Sequence, residues 1–364
     1  MERLQKSIHS RLIIERLTAL WALNEAGFGG LMHAVKSPFT GILIGGTAVM
    51  LITLIAWFAE KPSQAILRAT SIVLLVKLSV SPHSPISAYF AVGFQAMLGA
   101  VLFSLLSNLR IAALLFGLLA MLESAMQKLF VLTLVYGLSL WDAIDVFFNF
   151  ISEQLGFVNS GLEMRASYWI ISLYVGLHVV AGLAVGILAG LLPREIRTHL
   201  NDPDVHAWQQ EIAASPVSAA RAERRKKTGW RRKPVITVFI LLAIASVLIF
   251  MTPSLNGLHK GLYVILRVLS VLFLWYFAIA PFLAKLLQKF LRRNQSRYGQ
   301  EIENVMRLFP HLKVYTRQVW HASSGKKGWQ RWKQFIVHLV VFTLVFEYAT
   351  EENGSHIVSP KDIE

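Results

Sequence analysis

Apolar positions along this 364-residue chain gather into runs of membrane-crossing length, and the polar positions between them are rich in residues that end helices. Phe39–Phe58 and Ile86–Leu106 each approach the about twenty residues needed to cross roughly 30 Å of hydrocarbon. Between them the shorter run Ile66–Val80 carries Arg68 and Lys77. The turns Lys36-Ser37-Pro38-Phe39-Thr40-Gly41 and Ser81-Pro82-His83-Ser84-Pro85 supply breakers and side-chain caps. The pattern predicts spans at Ile42–Ala59, Ala65–Val80, Pro85–Leu106, Arg110–Tyr136 and Ser167–Leu192, then at Val235–Met251, Gly261–Leu291 and, shorter, Phe335–Tyr348. Leu12–Leu31 is apolar on balance but holds Glu15, Arg16, Asn24 and Glu25, which lipid would not tolerate. It is either a span packed inside a bundle or an interfacial helix. In Ser167–Leu192 the small residues Gly176, Gly182, Gly186 and Gly190 suit close helix packing in lipid. Between 138 and 166, Ile144, Phe147, Phe148, Ile151 and Leu155 follow helical spacing and predict a short amphipathic helix at the interface.

Composition agrees, with 55% hydrophobic residues and a mean hydropathy of +0.52, above that of an ordinary soluble domain. Yet the formal net charge is +15, so the positive charge must lie outside the spans. Residues 194–233 hold ten Lys or Arg against five acids, and residues 292–333 hold ten against two. With a cytoplasmic N-terminus and the first stretch counted as a span, the inner segments 1–11, 59–68, 107–110, 194–233 and 292–333 carry nearly all the loop Lys and Arg. The outer segments hold only Lys36 and Arg165. That is the positive-inside pattern at every turn, and dropping the first span would invert it. The expected fold is therefore an all-α polytopic membrane protein: a six-helix bundle (1–193), a basic cytoplasmic linker (194–233), a second membrane region with about three further transmembrane helices and cytoplasmic amphipathic helices (234–350), and a disordered tail (351–364). The N-terminal twenty residues carry Arg3, Lys6, Arg11, Glu15 and Arg16 without an apolar core, so no cleaved signal peptide is expected. Absence of cysteine removes disulfides, thiolate zinc sites and thiol nucleophiles.

Candidate chemistry lies where polar residues interrupt the spans. Glu123, Gln127 and Lys128 fall near the middle of one span, where a charge costs roughly 2.5–3.5 kcal/mol unless paired or hydrated. Glu123 and Gln127 share a helix face, and Lys128 is turned about 100° from Gln127. They read either as contacts in a substrate cavity or as a structural pairing between helices, such as Glu123 with Lys77. Gln95 and His178 are weaker substrate-binding candidates, since a lone intramembrane Gln or His commonly bonds a neighbouring helix. His33 and His83, in outer turns, either close over a ligand or are solvated loop histidines. Metal-ligand spacing is absent from the sequence, and no cofactor is expected. Gly30 to Lys36-Ser37 lacks the second glycine of a nucleotide-binding loop, so the chain is not expected to be an enzyme and any ATP hydrolysis belongs to a separate subunit. The basic linker is expected to contact anionic lipid headgroups rather than nucleic acid, because it is tethered to the cytoplasmic face. In 297–322, Ile302, Val305, Met306 and Phe309 form one apolar stripe and Leu312, Tyr315, Thr316 and Val319 a second. Arg307, Lys313, Arg317 and His321 lie beside or opposite them. This predicts two short basic amphipathic helices hinged at Pro310, suited to docking a soluble partner or to lying on lipid.

Residues 11–192 resemble the substrate-binding S component of energy-coupling factor (ECF) transporters in the order of these features. A first span ends in the turn Ser37-Pro38-Phe39-Thr40-Gly41 and leads into Ile42-Leu43-Ile44-Gly45-Gly46. A short third span is entered through Ala65-Ile66-Leu67-Arg68, a small-residue span covers Ala88–Ala100, and the fifth span ends Tyr136-Gly137. Residues 234–333 resemble the coupling T component of the same transporters, through Gly261–Leu291 followed by Met306-Arg307-Leu308-Phe309-Pro310 and a basic helix ending near Gly325. The coupling arginine of that family is replaced in His321-Ala322-Ser323-Ser324-Gly325. The resemblance implies a subunit in a bacterial inner (plasma) membrane. It would capture a small vitamin-like or cofactor-precursor molecule from the outer face and engage cytoplasmic ABC-type ATPase subunits through Arg307, Pro310, Lys313 and Arg317. It also implies small-residue surfaces, Ala88–Ala100 and Gly182–Gly190, along which two parts slide. The alternative from another class is a non-transporting membrane scaffold or assembly factor with a basic cytoplasmic docking face.

Overall fold

Apolar runs separated by breaker-rich turns form helices, and all regular structure in the computed structural model is helical over the residues it describes: 2–29, 41–81, 84, 86–155, 165–199, 265, 268–295 and 297–345. In chain order these are α1 (Glu2–Leu23), a π-helical turn Asn24–Phe28, a second π-helical turn Gly41–Gly45, α2 (Gly46–Phe58), α3 (Pro62–Val80), α4 (Ile86–Leu105), α5 (Leu109–Tyr136), α6 (Ser139–Gln154) and α7 (Ala166–His199). There follow a third π-helical turn Leu274–Ile279, α8 (Ala280–Gln295), α9 (Gly299–Ala322) and α10 (Gly328–Val345). Among the described residues five helices are long and apolar enough to cross a membrane: Gly41–Phe58, Pro62–Val80, Ile86–Leu105, Leu109–Tyr136 and Ala166–Thr198. They coincide with the five apolar runs read between residues 42 and 192. The expected span Val235–Met251 and the tail lie outside the described residues, and Gly261–Leu291 is described only in part.

Two compact units are formed, Met1–Ala125 with Gly176–Ala220 and Leu287–Glu364, and Met126–Val175 with Arg221–Leu286. The first is built around α1, which packs against α2, α3, α9 and α10. From Arg16 to Ala26 every residue but Leu23 is buried. The opening stretch is therefore a core helix, not an interfacial one, and its Arg16 and Glu25 are internal. Arg16 donates from its guanidinium to the Leu344 carbonyl near the end of α10, where a cation satisfies a helix's terminal acceptors and its dipole. Simple hydropathy leaves α1 out of the spanning helices because it counts such charges as if they faced solvent or lipid.

The α9 helix runs unbroken from Gly299 to Ala322 with Pro310 inside it, which corrects the expectation of two helices hinged there. Val305, Phe309, Leu312, Tyr315 and Val319 are all buried on one face. Their spacing of three and four residues keeps one phase across the proline. Burying each contributes roughly 1.5–3 kcal/mol, which outweighs the about 3 kcal/mol of a proline in a helix interior. Pro310 itself is exposed, so its missing donor falls on the outer side. The Tyr315 ring meets Phe342 of α10 edge-on at 4.4 Å. Two ion pairs fasten these C-terminal helices to the spans, Arg68–Glu301 at 2.6 Å and Lys333–Glu195 at 2.8 Å.

Gly182 and Gly186 of α7 meet Gly117 of α5 backbone to backbone: a Cβ on Gly117 would stand 2.6 Å from the Gly182 carbonyl oxygen and 2.7 Å from the Gly186 Cα. A third glycine, Gly190, lies against Arg110, whereas Gly176 has open space around it. The Gly182–Gly190 face is thus a tight helix–helix contact inside the first unit, not the sliding surface expected.

In the second unit, Gly137 takes φ 82° at the end of α5 and its N–H bonds the Thr133 carbonyl at 2.8 Å, a left-handed helix stop. The expected amphipathic helix is α6. Its Val146, Phe147, Phe148 and Phe150 are exposed, as a helix lying in an interface requires. Asp145 accepts from the Ser167 N–H at 2.7 Å and from its hydroxyl at 2.9 Å, so this acid of the 138–166 segment caps the start of α7.

Candidate functional site

The polar residues of the first unit converge where the two π-helical turns meet. A π-turn inserts an extra residue into a helical turn and re-aims the side chains around it. Here it brings Asn24 and Glu25 off the end of α1 toward neighbouring elements. The Asn24 side-chain amide donates to the Ile44 carbonyl at 3.2 Å, joining the two turns. Lys77, in the last turn of α3, holds the Glu25 carboxylate at 2.7 Å, and the two side chains are only 2% and 4% exposed. The Lys77 ammonium also lies 5.7 Å from the Tyr89 ring centroid of α4, a cation–π distance.

Glycines let the second turn close on α4 and α5. A Cβ on Gly45 would lie 2.9 Å from the Gln95 amide nitrogen, and one on Gly41 would lie 2.2 Å from the Ser124 hydroxyl. Asn24 thus ties the turn that holds the sealed Glu25–Lys77 pair, with Tyr89 beside it, to a second turn whose glycines abut Gln95 and Ser124. A buried pair of this kind can exchange partners with a ligand that brings its own carboxylate or ammonium, because either charge left alone would be costly.

Of the residues singled out from sequence, Gln95 abuts the second of these turns at Gly45. Glu123, beside Ser124, has a carboxylate oxygen buried without a hydrogen-bond partner among the described residues. The considered pairing of Glu123 with Lys77 does not form, since Lys77 is bound to Glu25. Gln127 and Lys128 are one turn further along α5, in the second unit; Lys128 is exposed and Gln127 half-buried. His178 is buried in α7. His33 and His83 lie outside the described residues. In the sequence Asn24 and Glu25 stand out only as polar residues within an apolar stretch, and Lys77 only as a considered partner of Glu123. Among the described residues no three His, Asp or Glu side chains are grouped as metal ligands would be.

A second constellation lies on α9. Arg307, Pro310, Lys313 and Arg317, with His321, are all exposed and recur every three or four residues, so they share the face opposite the buried stripe. Arg307 is lightly held by Glu303 at 2.7 Å on the same surface. The start of the helix is anchored by Glu301. Burial pushes its carboxyl up, but its own backbone hydrogen bond, the bond and charge of Arg68 and the charge of Arg11 prevail and hold it below the usual carboxylate range. A carboxyl lowered on folding stabilises above its unfolded value, about 4.3, and the contribution is lost as pH falls through the folded value. Acidification from pH 6 to 3 is therefore expected to loosen the first turn of α9, by under about 1 kcal/mol for so exposed a pair. Amide exchange in α9 checks this: Glu301→Gln should exchange faster at pH 6 and respond less to acid. An acid response equal to that of the unaltered protein would refute the anchor.

Helical over its described residues, with five helices able to cross a bilayer and an ion pair enclosed in its core, the chain is an all-α polytopic membrane protein. No family model, curated protein or solved structure matches it.

Proposed function

We propose that the protein is the membrane subunit of an ATP-driven uptake transporter of the energy-coupling factor kind. It resides in a bacterial inner membrane with its N-terminus in the cytoplasm and captures a small vitamin-like or cofactor-precursor molecule from the outer face. The observation that carries this reading is the exposed basic stripe of α9, on a helix whose other face is buried in the bundle core. A cytoplasmic ABC-type ATPase subunit docking on Arg307, Lys313 and Arg317 would act on α9, which packs directly on α1 and α3. Lys77 lies on α3, and α1 runs straight into the π-helical turn that carries Glu25, so movement of α9 would reach that pair through the two helices it touches. The ligand exchanges with that pair and contacts Gln95 and Glu123.

Reversing two charges, Lys313→Glu with Arg317→Glu, is expected to abolish co-purification of the ATPase subunit and its ligand-stimulated ATP hydrolysis, while expression and insertion are unchanged. Both side chains are exposed, so the fold does not depend on them. Undiminished co-purification would remove the docking role.

A second reading, a non-transporting scaffold or assembly factor that recruits its partner through the same face, is favoured by the complete enclosure of Glu25 and Lys77. Partner binding without nucleotide hydrolysis and without any ligand-induced stabilisation would select it.

A further inference from the structure

A cavity of about 480 Å³ opens among the first half of α1, the α2–α3 turn, α3 and the start of α9, a volume typical of small-molecule sites. We infer that it binds a zwitterionic amphiphile, a phosphate–ammonium headgroup with an apolar stem, supplied by the membrane as phosphatidylethanolamine.

Its rim carries both signs of charge. Arg11 and Glu15 are one turn apart on α1, and Glu60 and Lys61 form the α2–α3 turn. Among the described residues none of these four makes an ion pair, whereas Arg68 is already held by Glu301 at 2.6 Å and closes one wall. Arg11 lends only its field to Glu301, so the rim offers two cations, Arg11 and Lys61, against two anions, Glu15 and Glu60, and is neutral. An anion alone would answer the bases and crowd the acids; a zwitterion answers both.

Depth selects the amphiphile. The turn Ala59–Lys61 joins two helices able to cross the membrane, so the rim stands at the level of the headgroups. Along α3 the lining passes from Gln64 and Ala65, past Arg68 with its guanidinium on Glu301, to Ala69 and Ile72, joined by Ile14 and Thr18 of α1. At about 1.5 Å per residue, Ile72 lies roughly 16 Å along the chain from Lys61, and the two alanines leave the room a stem needs. A water-soluble zwitterion would use only the rim.

The test uses the full chain in mild detergent, with native mass spectrometry of retained lipid. Phosphatidylethanolamine, phosphatidylglycerol and phosphatidylcholine of identical acyl chains are compared, with free phosphoethanolamine as the stemless probe. Phosphatidylethanolamine is expected to be retained about tenfold over the other two. Phosphatidylglycerol lacks the ammonium, and the quaternary group of phosphatidylcholine has no N–H to donate to Glu15 or Glu60. Glu60→Gln with Lys61→Gln, on an exposed turn where folding is not at stake, should erase the preference. Ala65→Leu should weaken the lipid and leave the stemless probe unaffected. Equal retention of the three lipids, a preference for phosphatidylglycerol, phosphoethanolamine binding as tightly as the lipid, or an unaltered preference in the charge variant would each overturn the assignment.

Discussion

Replacing Lys77 by methionine destabilises the protein by roughly 3–5 kcal/mol, because it strands a carboxylate in a sealed core. Glu25 is 4% exposed, so water cannot take over the lost partner. The group must either keep an uncompensated charge or bind a proton. Glu25→Gln is expected to be harmful for the converse reason, leaving the ammonium alone apart from the Tyr89 ring. The double variant Glu25→Gln with Lys77→Met should recover most of the loss, since removing both charges also removes their desolvation, and a well-packed neutral pair is often as stable as the ionic one. Thermal or denaturant unfolding of the two singles and the double in one detergent closes the cycle. Single variants within about 1 kcal/mol of the unaltered protein would mean that Glu25 and Lys77 are hydrated or otherwise partnered. If the double variant folds but shows no ligand-induced stabilisation, the pair serves binding as well as structure.

The second large effect is expected from an alanine at Gly186, set against an alanine at Gly176 in the same helix. At Gly186 the added Cβ would stand 2.8 Å from the Ala113 carbonyl oxygen and 2.8 Å from the Leu114 Cα. Both are backbone atoms and cannot rotate aside, so α5 and α7 must separate. Overpacking of this kind costs about 1–3 kcal/mol or more, with further loss wherever the separation opens gaps beside Gly117 and Gly182. At Gly176 nothing lies within 4 Å, and alanine is the better helix former by about 0.8–1.0 kcal/mol. The same substitution ten residues apart is therefore expected to have opposite signs. Unfolding midpoints check this directly, and equal shifts would show that α5 and α7 do not approach as described.

Much of the architecture was legible because a bilayer imposes a length. The five spanning helices lie on the five apolar runs between residues 42 and 192, and α6 follows the spacing of Ile144, Phe147, Phe148 and Ile151. The basic residues of α9 also sort onto one face as their numbering requires. Pro310 misled because breaker chemistry is local, while the phase of the apolar stripe from Val305 to Val319 spans the whole helix. Reading the phase through the proline would have returned one helix.

The pairing of Lys77 was missed for a related reason, although depth held a usable signal. Lys77 lies four residues before the turn at Ser81, about 6 Å along its helix, whereas Glu123 lies about 20 Å from the same-side end of α5 at Tyr136. Glu25, near the end of the opening stretch, matches that depth far better.

Sequence alone determined that the described segments are helical, that five of them between residues 41 and 198 can cross a membrane and that one face of α9 is basic, because those properties depend on neighbours within a turn or two. Tertiary structure alone decided that the charged opening helix lies at the centre of its unit, that Glu25 rather than Glu123 meets Lys77, and that Gly182 and Gly186 lock α7 against α5. Each of those contacts joins residues dozens of positions apart. Which of them form is set by how whole helices pack and rotate against one another, and no local pattern encodes that rotation.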